Sequence, residues 1–319
     1  MEQSIRKFTS QFQFQPKIVN SGKLKPFKNI VIAGMGGSHL AADLLKMLIG
    51  EKMPVFIHKD YGLPNLPKEY WENNLIIISS YSGNTEEAID SFSSALKKKF
   101  NLAVISTGGK LLKLAQKNNI PYVQLPDAGI QPRLALGFNL MALLKLIGLK
   151  NDAREIKKIR LNNDKCRREG ERLAKFFENK IPIIYSSLKN EALTQIWKIN
   201  FNETSKIPAF YNVFPELNHN EMEGFDAVLK TKQLSQNFRF LILTDKKDDK
   251  RILKRMKIFR EIFIKKGFAV EILDFFGGSF WRKIFNNYLT AVWASYYLAK
   301  NYNNDPEKIL LIENFKKMI

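Results

Sequence analysis

Apolar positions along the chain fall into short uninterrupted runs, each followed by a longer stretch in which they recur every three or four residues. NIVIAGMG (29–36) reads as a buried strand that ends in glycines, and SHLAADLLKMLIG (38–50) as the helix after it, closed by Gly50. PVFIHKD reads as a second strand, and NNLIIISSYSGNT (73–85) as a third that breaks at Gly83 into the helix EEAIDSFSSALKKKF. NLAVISTGG (101–109) gives a fourth strand, KLLKLAQKN a helix, PYVQLP a fifth strand and LALGFNLMALLKLIGL an apolar helix. Strands alternating with helices predict right-handed βαβ units around a parallel sheet that carries helices on both faces.

Residues 151–180 predict one long polar-to-amphipathic helix and no strand, the pattern of a connection between domains. A second cycle follows, with strands at IPIIYSS (181–187), FRFLILTDKKDD (238–249) and GFAVEILDF (267–275) and helices at about 190–200, 250–266 and 281–300. The two halves share a strand, helix, strand plan of similar length. The expected fold class is therefore α/β, with two doubly wound, flavodoxin-like parallel-sheet domains at 1–150 and 151–319.

Composition narrows the chemistry. The 319 residues include a single cysteine, Cys166, and three dispersed histidines, which exclude an intramolecular disulfide and give no structural zinc spacing; no metal is expected. The start, MEQSIRKFTSQFQFQ, has no apolar signal region, and no later stretch is apolar for long enough to span a bilayer. No membrane association and a reducing cytoplasm are the expectation. Fifty-one Lys and Arg against 31 Asp and Glu give a formal charge of +20. The basic residues are dispersed through helical segments (97–100, 154–160, 254–266), which favours a solvated surface over a nucleic-acid stripe. Any nucleic-acid binding is expected to be weak and salt-sensitive, so no nucleic-acid partner is expected.

In a parallel α/β sheet, ligands collect beyond the carboxyl ends of the strands, where turns expose backbone N–H groups and helix N-termini. Three turns suit an anion: Gly34-Met35-Gly36-Gly37-Ser38, Ser80-Tyr81-Ser82-Gly83-Asn84-Thr85 and Ser106-Thr107-Gly108-Gly109. Small residues allow close approach, and the hydroxyls of Ser80, Ser82 and Thr85 add donors that match phosphate oxygens. A dinucleotide fingerprint would need glycine where His39 stands, and a P-loop would need Gly-Lys-Ser/Thr where the chain reads Gly37-Ser38-His39. Both rivals fail on spacing. A lone glycine turn is ordinarily a tight connection, but the second, hydroxyl-rich turn favours a phosphate site.

GMGGS, SYSGNTEEAI and ISTGGKLLKLA together resemble the sugar isomerase (SIS) domain that binds phosphosugars. GIQPRLALGF (129–138), NFNETSKIPAFYNVFPELNHNEMEGF (200–225) and WASYYLAKNYNNDPEKILLIENFKK (293–317) extend the resemblance, in order and over nearly the whole chain, to the bifunctional phosphoglucose/phosphomannose isomerase family. The resemblance implies reversible conversion of glucose 6-phosphate, and of mannose 6-phosphate, into fructose 6-phosphate through a cis-enediol, without cofactor. It further implies a homodimer and an active site between the two domains. An isomerase for another phosphosugar, and a non-catalytic phosphosugar sensor, remain as alternatives; a sensor needs the Ser/Thr turns but not the base.

Aldose–ketose isomerisation needs a carboxylate that moves a proton between C1 and C2, a group that opens the ring and an anchor for the phosphate. By resemblance, Glu203 is the base, and His219 assists ring opening from across the dimer interface. The resemblance also implies that Arg133, after Gln131-Pro132, faces the substrate, where it can steady the enediolate oxygen. Ser80, Ser82 and Thr85 are expected to hold the phosphate, with Ser38 and the Gly36-Gly37 backbone on the adjacent sugar side. His39 and His58 match no catalytic position of the family. The C-terminal helix departs from part of the family: Thr290 matches a threonine that leaves room for the mannose epimer, and Tyr297 stands where some members carry a ring-opening lysine. Residues seven apart share a helix face, so Thr290 and Tyr297 can point into one pocket, with Lys300 near the same face. Proton donation by Tyr297, approach of Lys300, and ring opening by His219 all stay open.

Overall fold

The computed structural model describes residues 1–226, 228 and 230–318. The chain divides into two compact units, one of residues 6–159 and one of residues 1–5 with 160–319.

The first unit is built on five parallel strands: β1 (Asn29–Ala33), β2 (Val55–His58), β3 (Asn74–Ser79), β4 (Leu102–Ser106) and β5 (Tyr122–Gln124), in the order β2-β1-β3-β4-β5. β3 and β4 are buried along their whole length, which explains why they read as unbroken apolar runs in the sequence. Register pairs Ile32 with Ile57 on one side and with Ile77 on the other. Val31, Ile76, Ile78 and Val104 pack against Ala88, Phe92 and Leu111 of the covering helices Glu86–Lys97 and Gly109–Lys117. Burying Phe92 or Ile76 in this way contributes about 1.5–3 kcal/mol per side chain.

The second unit carries four parallel strands: β6 (Ile181–Ser187), β7 (Phe210–Phe214), β8 (Phe238–Thr244) and β9 (Val270–Asp274), in the order β7-β6-β8-β9. Its core is aromatic where the first is aliphatic. Tyr185, Phe214, Phe225, Phe240, Phe259 and Phe263 make edge-on and tilted ring contacts, for example Phe240 to Phe263 at 5.0 Å and 85°.

Three sequence expectations change. Residues 151–180 form two helices, Lys150–Lys158 and Asn163–Phe177: the first ends where Ile159 turns extended, and Asn162 caps the second by accepting from the Lys165 N–H at 3.1 Å. The second of these packs along the C-terminal helix Phe280–Asn301 and belongs to the core of its unit. β7 was unforeseen, since it lies at the sheet edge with only Val213 and Phe214 buried and so lacks a clear strand pattern. β8 ends at Thr244, and Asp245–Asp249 is the turn into the helix Lys250–Lys265.

Candidate functional site

Both sheets change direction next to their first strand, between β1 and β3 in one unit and between β6 and β8 in the other, and parallel α/β sheets bind ligands beyond the strand ends at such a switch point. In the first unit the two turns that flank it are those singled out above. β1 runs into Gly34–Ser38, and β3 into Ser80–Thr85.

These turns are held by neutral groups. Ser38 Oγ accepts from the Tyr81 N–H at 2.9 Å, while its carbonyl accepts from Ser79 Oγ at 3.0 Å and Asn139 Nδ2 at 2.9 Å. Ser80 Oγ accepts from the Gly83 N–H at 3.1 Å and lies 2.9 Å from Thr85 Oγ1. Thr85 stands at the N-cap of Glu86–Lys97 without making a side-chain capping bond, so the positive end of that helix faces the turn uncapped by its own chain. Ser38 and Ser80 are buried, Ser82 is exposed and Thr85 is half-buried. The glycines fix the approach. A Cβ at Gly37 would lie 2.6 Å from Arg133 N, and one at Gly83, whose φ is +71°, would lie 1.9 Å from the Gly108 carbonyl oxygen.

Gly36, Gly37, Ser38, Ser80, Ser82, Thr85 and Arg133 therefore come together in one unit. Arg133 sits in the short turn Pro132–Leu134 with its side chain wholly buried. Sequence reasoning missed what sets that turn: Gln11 donates to the Leu134 carbonyl at 2.7 Å and accepts from the Gly137 N–H at 3.0 Å. The two segments lie more than 120 residues apart in sequence, and nothing local signals the contact.

In the second unit, Glu203 lies in the π-helical turn Phe201–Ser205, which follows the helix Glu191–Asn200 without a break. Such turns widen the backbone and recur at functional sites. Ser205 Oγ donates to the Ser295 carbonyl at 2.8 Å, and Asn304 Nδ2 donates to the Ser205 carbonyl at 3.0 Å, which ties the turn to the C-terminal helix. Glu203 lines a cavity of about 590 Å³ together with Asn202, Lys206, Asn304 and Lys308, and with a largely apolar wall from Ile207, Pro208 and residues 309–312.

His219 ends the turn Glu216–His219 and is exposed on its own chain. Two residues on, the Glu221 carboxylate accepts from Tyr185 OH at 2.5 Å and from Asn212 Nδ2, anchoring the segment to β6 and β7. Burial and the Glu221 charge push the Tyr185 phenol above its ordinary range, so it remains a donor.

On the C-terminal helix, Thr290, Tyr297 and Lys300 occupy different settings. Thr290 is wholly buried and donates to the Asn286 carbonyl at 2.8 Å, beside Cys166, whose thiol burial pushes up to about 12. Tyr297 is half-buried and stacked on Trp293 at 5.7 Å, and Lys300 is exposed. None of the three lines the Glu203 cavity. Among the described residues no group of three or more His, Cys, Asp or Glu could hold a metal ion, and no helix is long and apolar enough to cross a membrane.

Two parallel, helix-flanked sheets give the chain a two-domain α/β architecture of the SIS, flavodoxin-like kind. Residues 167–319 match the family described as bacterial phospho-glucose isomerase C-terminal SIS domain. The chain is 35% identical to a bifunctional phosphoglucose/phosphomannose isomerase of Thermoplasma volcanium over 96% of each chain. It is 31% identical to the protein so described from Aquifex aeolicus, over 98% of this chain and 96% of the relative. A solved structure described as a putative phosphosugar isomerase of Bacillus subtilis shares the fold with a TM-score of 0.68 at 17% identity, over 98% of this chain and 99% of that one. The chain belongs to the bifunctional phosphoglucose/phosphomannose isomerase family.

Proposed function

We propose that the protein interconverts glucose 6-phosphate and fructose 6-phosphate, and mannose 6-phosphate and fructose 6-phosphate, by proton transfer through a cis-enediol. The observation that carries the reading is Glu203, a carboxylate on a π turn tethered through Ser205 to the Ser295 carbonyl and to Asn304. A phosphate-binding module has no use for such a base.

In the proposed reaction, Glu203 takes the proton from C2 of the aldose. The electron pair forms the C1–C2 double bond while O1 gains a proton. The enediol then collapses to the ketose as the O2 hydroxyl loses its proton and C1 takes the proton back from Glu203. Ser80, Ser82 and Thr85 take the phosphate, with Ser38 and the Gly36-Gly37 backbone beside the sugar. Arg133 holds the charge on the enediolate oxygen, where a guanidinium excluded from water acts most strongly. His219, exposed on its own chain, serves ring opening across a homodimer. Tyr297 and Lys300 are the auxiliary ring-opening candidates, and Thr290 is the candidate for tolerance of the mannose epimer.

A coupled assay with both aldose phosphates, run on the wild type and on Glu203→Gln, tests the proposal. Glutamine keeps the size of the side chain but cannot accept the C2 proton, so turnover is expected to fall by roughly 10²–10⁴-fold while fructose 6-phosphate still binds. Wild-type protein that binds these sugars and converts none of them is a sensor.

A further inference from the structure

The second unit has a switch point of the same topology, beyond the ends of β6 and β8, and no step of the proposed reaction uses it. Counted from the strand end, the fourth residue of the β3 turn is Gly83, and the fourth of the β8 turn is Asp248.

Asp248 is only 7% exposed. Its carboxylate accepts from Ser187 Oγ at 2.8 Å, from Asn190 Nδ2 at 3.0 and 3.2 Å, and from the Asp245 N–H at 3.2 Å. Ser187 and Asn190 come from the chain leaving β6, and Asp245 comes from the chain leaving β8. A hydroxyl, an amide and a backbone N–H converging on one anion are the donors that phosphate oxygens take. Asp249, at the N-cap of Lys250–Lys265, accepts from the Arg251 N–H at 2.8 Å, whereas Thr85 at the matching place makes no capping bond. Asp245 is held in turn by Lys283 at 2.5 Å.

We propose that Asp248 is a built-in anion filling the second switch point, so that each chain takes up one phosphosugar, and that removing its carboxylate turns this crevice into a second anion site. This rests on the reading of the Ser80–Thr85 turn as the phosphate site. The internal carboxylate saturates the donors that an incoming phosphate would need, and its charge repels that phosphate.

The test is a tungstate soak of crystals of the wild type and of Asp248→Gly, which gives the second turn the residue the first carries at the same count. Tungstate is a phosphate-shaped dianion located by its anomalous scattering. The wild type is expected to show a peak at the Ser80–Thr85 turn alone, and Asp248→Gly to add a second peak between Ser187 and Asn190. A wild-type peak at the second switch point overturns the proposal, as does a folded Asp248→Gly protein without one there. If that variant does not fold, equilibrium dialysis of the wild type with labelled fructose 6-phosphate decides: one molecule bound per chain is expected, and two overturn it. A variant peak between Ser187 and Asn190 with no peak at the Ser80–Thr85 turn in either protein overturns the phosphate reading and leaves the assignment of Asp248 standing.

Discussion

The turn after β3 and the turn after β8 leave their sheets at corresponding points, yet one is assembled from hydroxyls and glycines and the other is closed by carboxylates. Thr85 spends its hydroxyl on Ser80 and leaves the helix start uncapped, whereas Asp249 caps its helix and Asp248 gathers the donors of both turns. The same backbone plan thus gives a helix N-terminus available to a ligand and one satisfied from within. What separates them is charge at two positions, which a glance at topology misses.

Exchanging that chemistry should break the distinction. Thr85→Asp places a carboxylate at the open helix start, where it caps the helix and repels a phosphate. Its kcat/KM for fructose 6-phosphate is expected to fall by roughly 10²-fold or more, while thermal stability holds or rises by up to ~1 kcal/mol. Steady-state kinetics beside thermal melts read both effects, and an unchanged KM would remove the phosphate from this turn.

A smaller effect belongs to the closed turn. Burial raises the Asp248 carboxyl above its ordinary pKa, and the bonds from Ser187 and Asp245 only partly offset this. A carboxyl with a raised folded-state pKa binds its proton more tightly in the native protein than in the unfolded chain. Its buried charge therefore costs stability in full above the raised pKa, and the cost fades as pH falls through it. Relative to Asp248→Asn, wild-type stability in urea should improve as pH falls from neutrality toward the carboxylate range. A pH-independent difference between the two proteins would show that Asp248 is not buried as a charge.

The first switch point was legible in the sequence because β1, β3 and β4 are buried on both faces and read as unbroken apolar runs, with Gly, Ser and Thr marking where they stop. The second was not. DKKDDK looks like a solvated polar stretch extending β8, and only the Ser187 and Asn190 contacts, some 60 residues away in sequence, show that one of its acids is interior. β7 escaped because only its last two residues, Val213 and Phe214, are buried, too few to mark a strand. The motif block around Glu203 pointed to the residue but not to its π turn, which depends on ties to Ser295 and Asn304 about 90 or more residues further along.

The account stands or falls on Glu203 moving a proton through an enediol. The direct measurement is NMR of fructose 6-phosphate incubated with the protein in deuterium oxide. A carboxylate that exchanges with solvent between removing and returning the proton carries deuterium into C1 of the ketose and C2 of the aldose, and the account predicts that label, lost in Glu203→Gln. Interconversion of the sugars without solvent deuterium at either carbon, together with an undiminished kcat in Glu203→Gln, would contradict it.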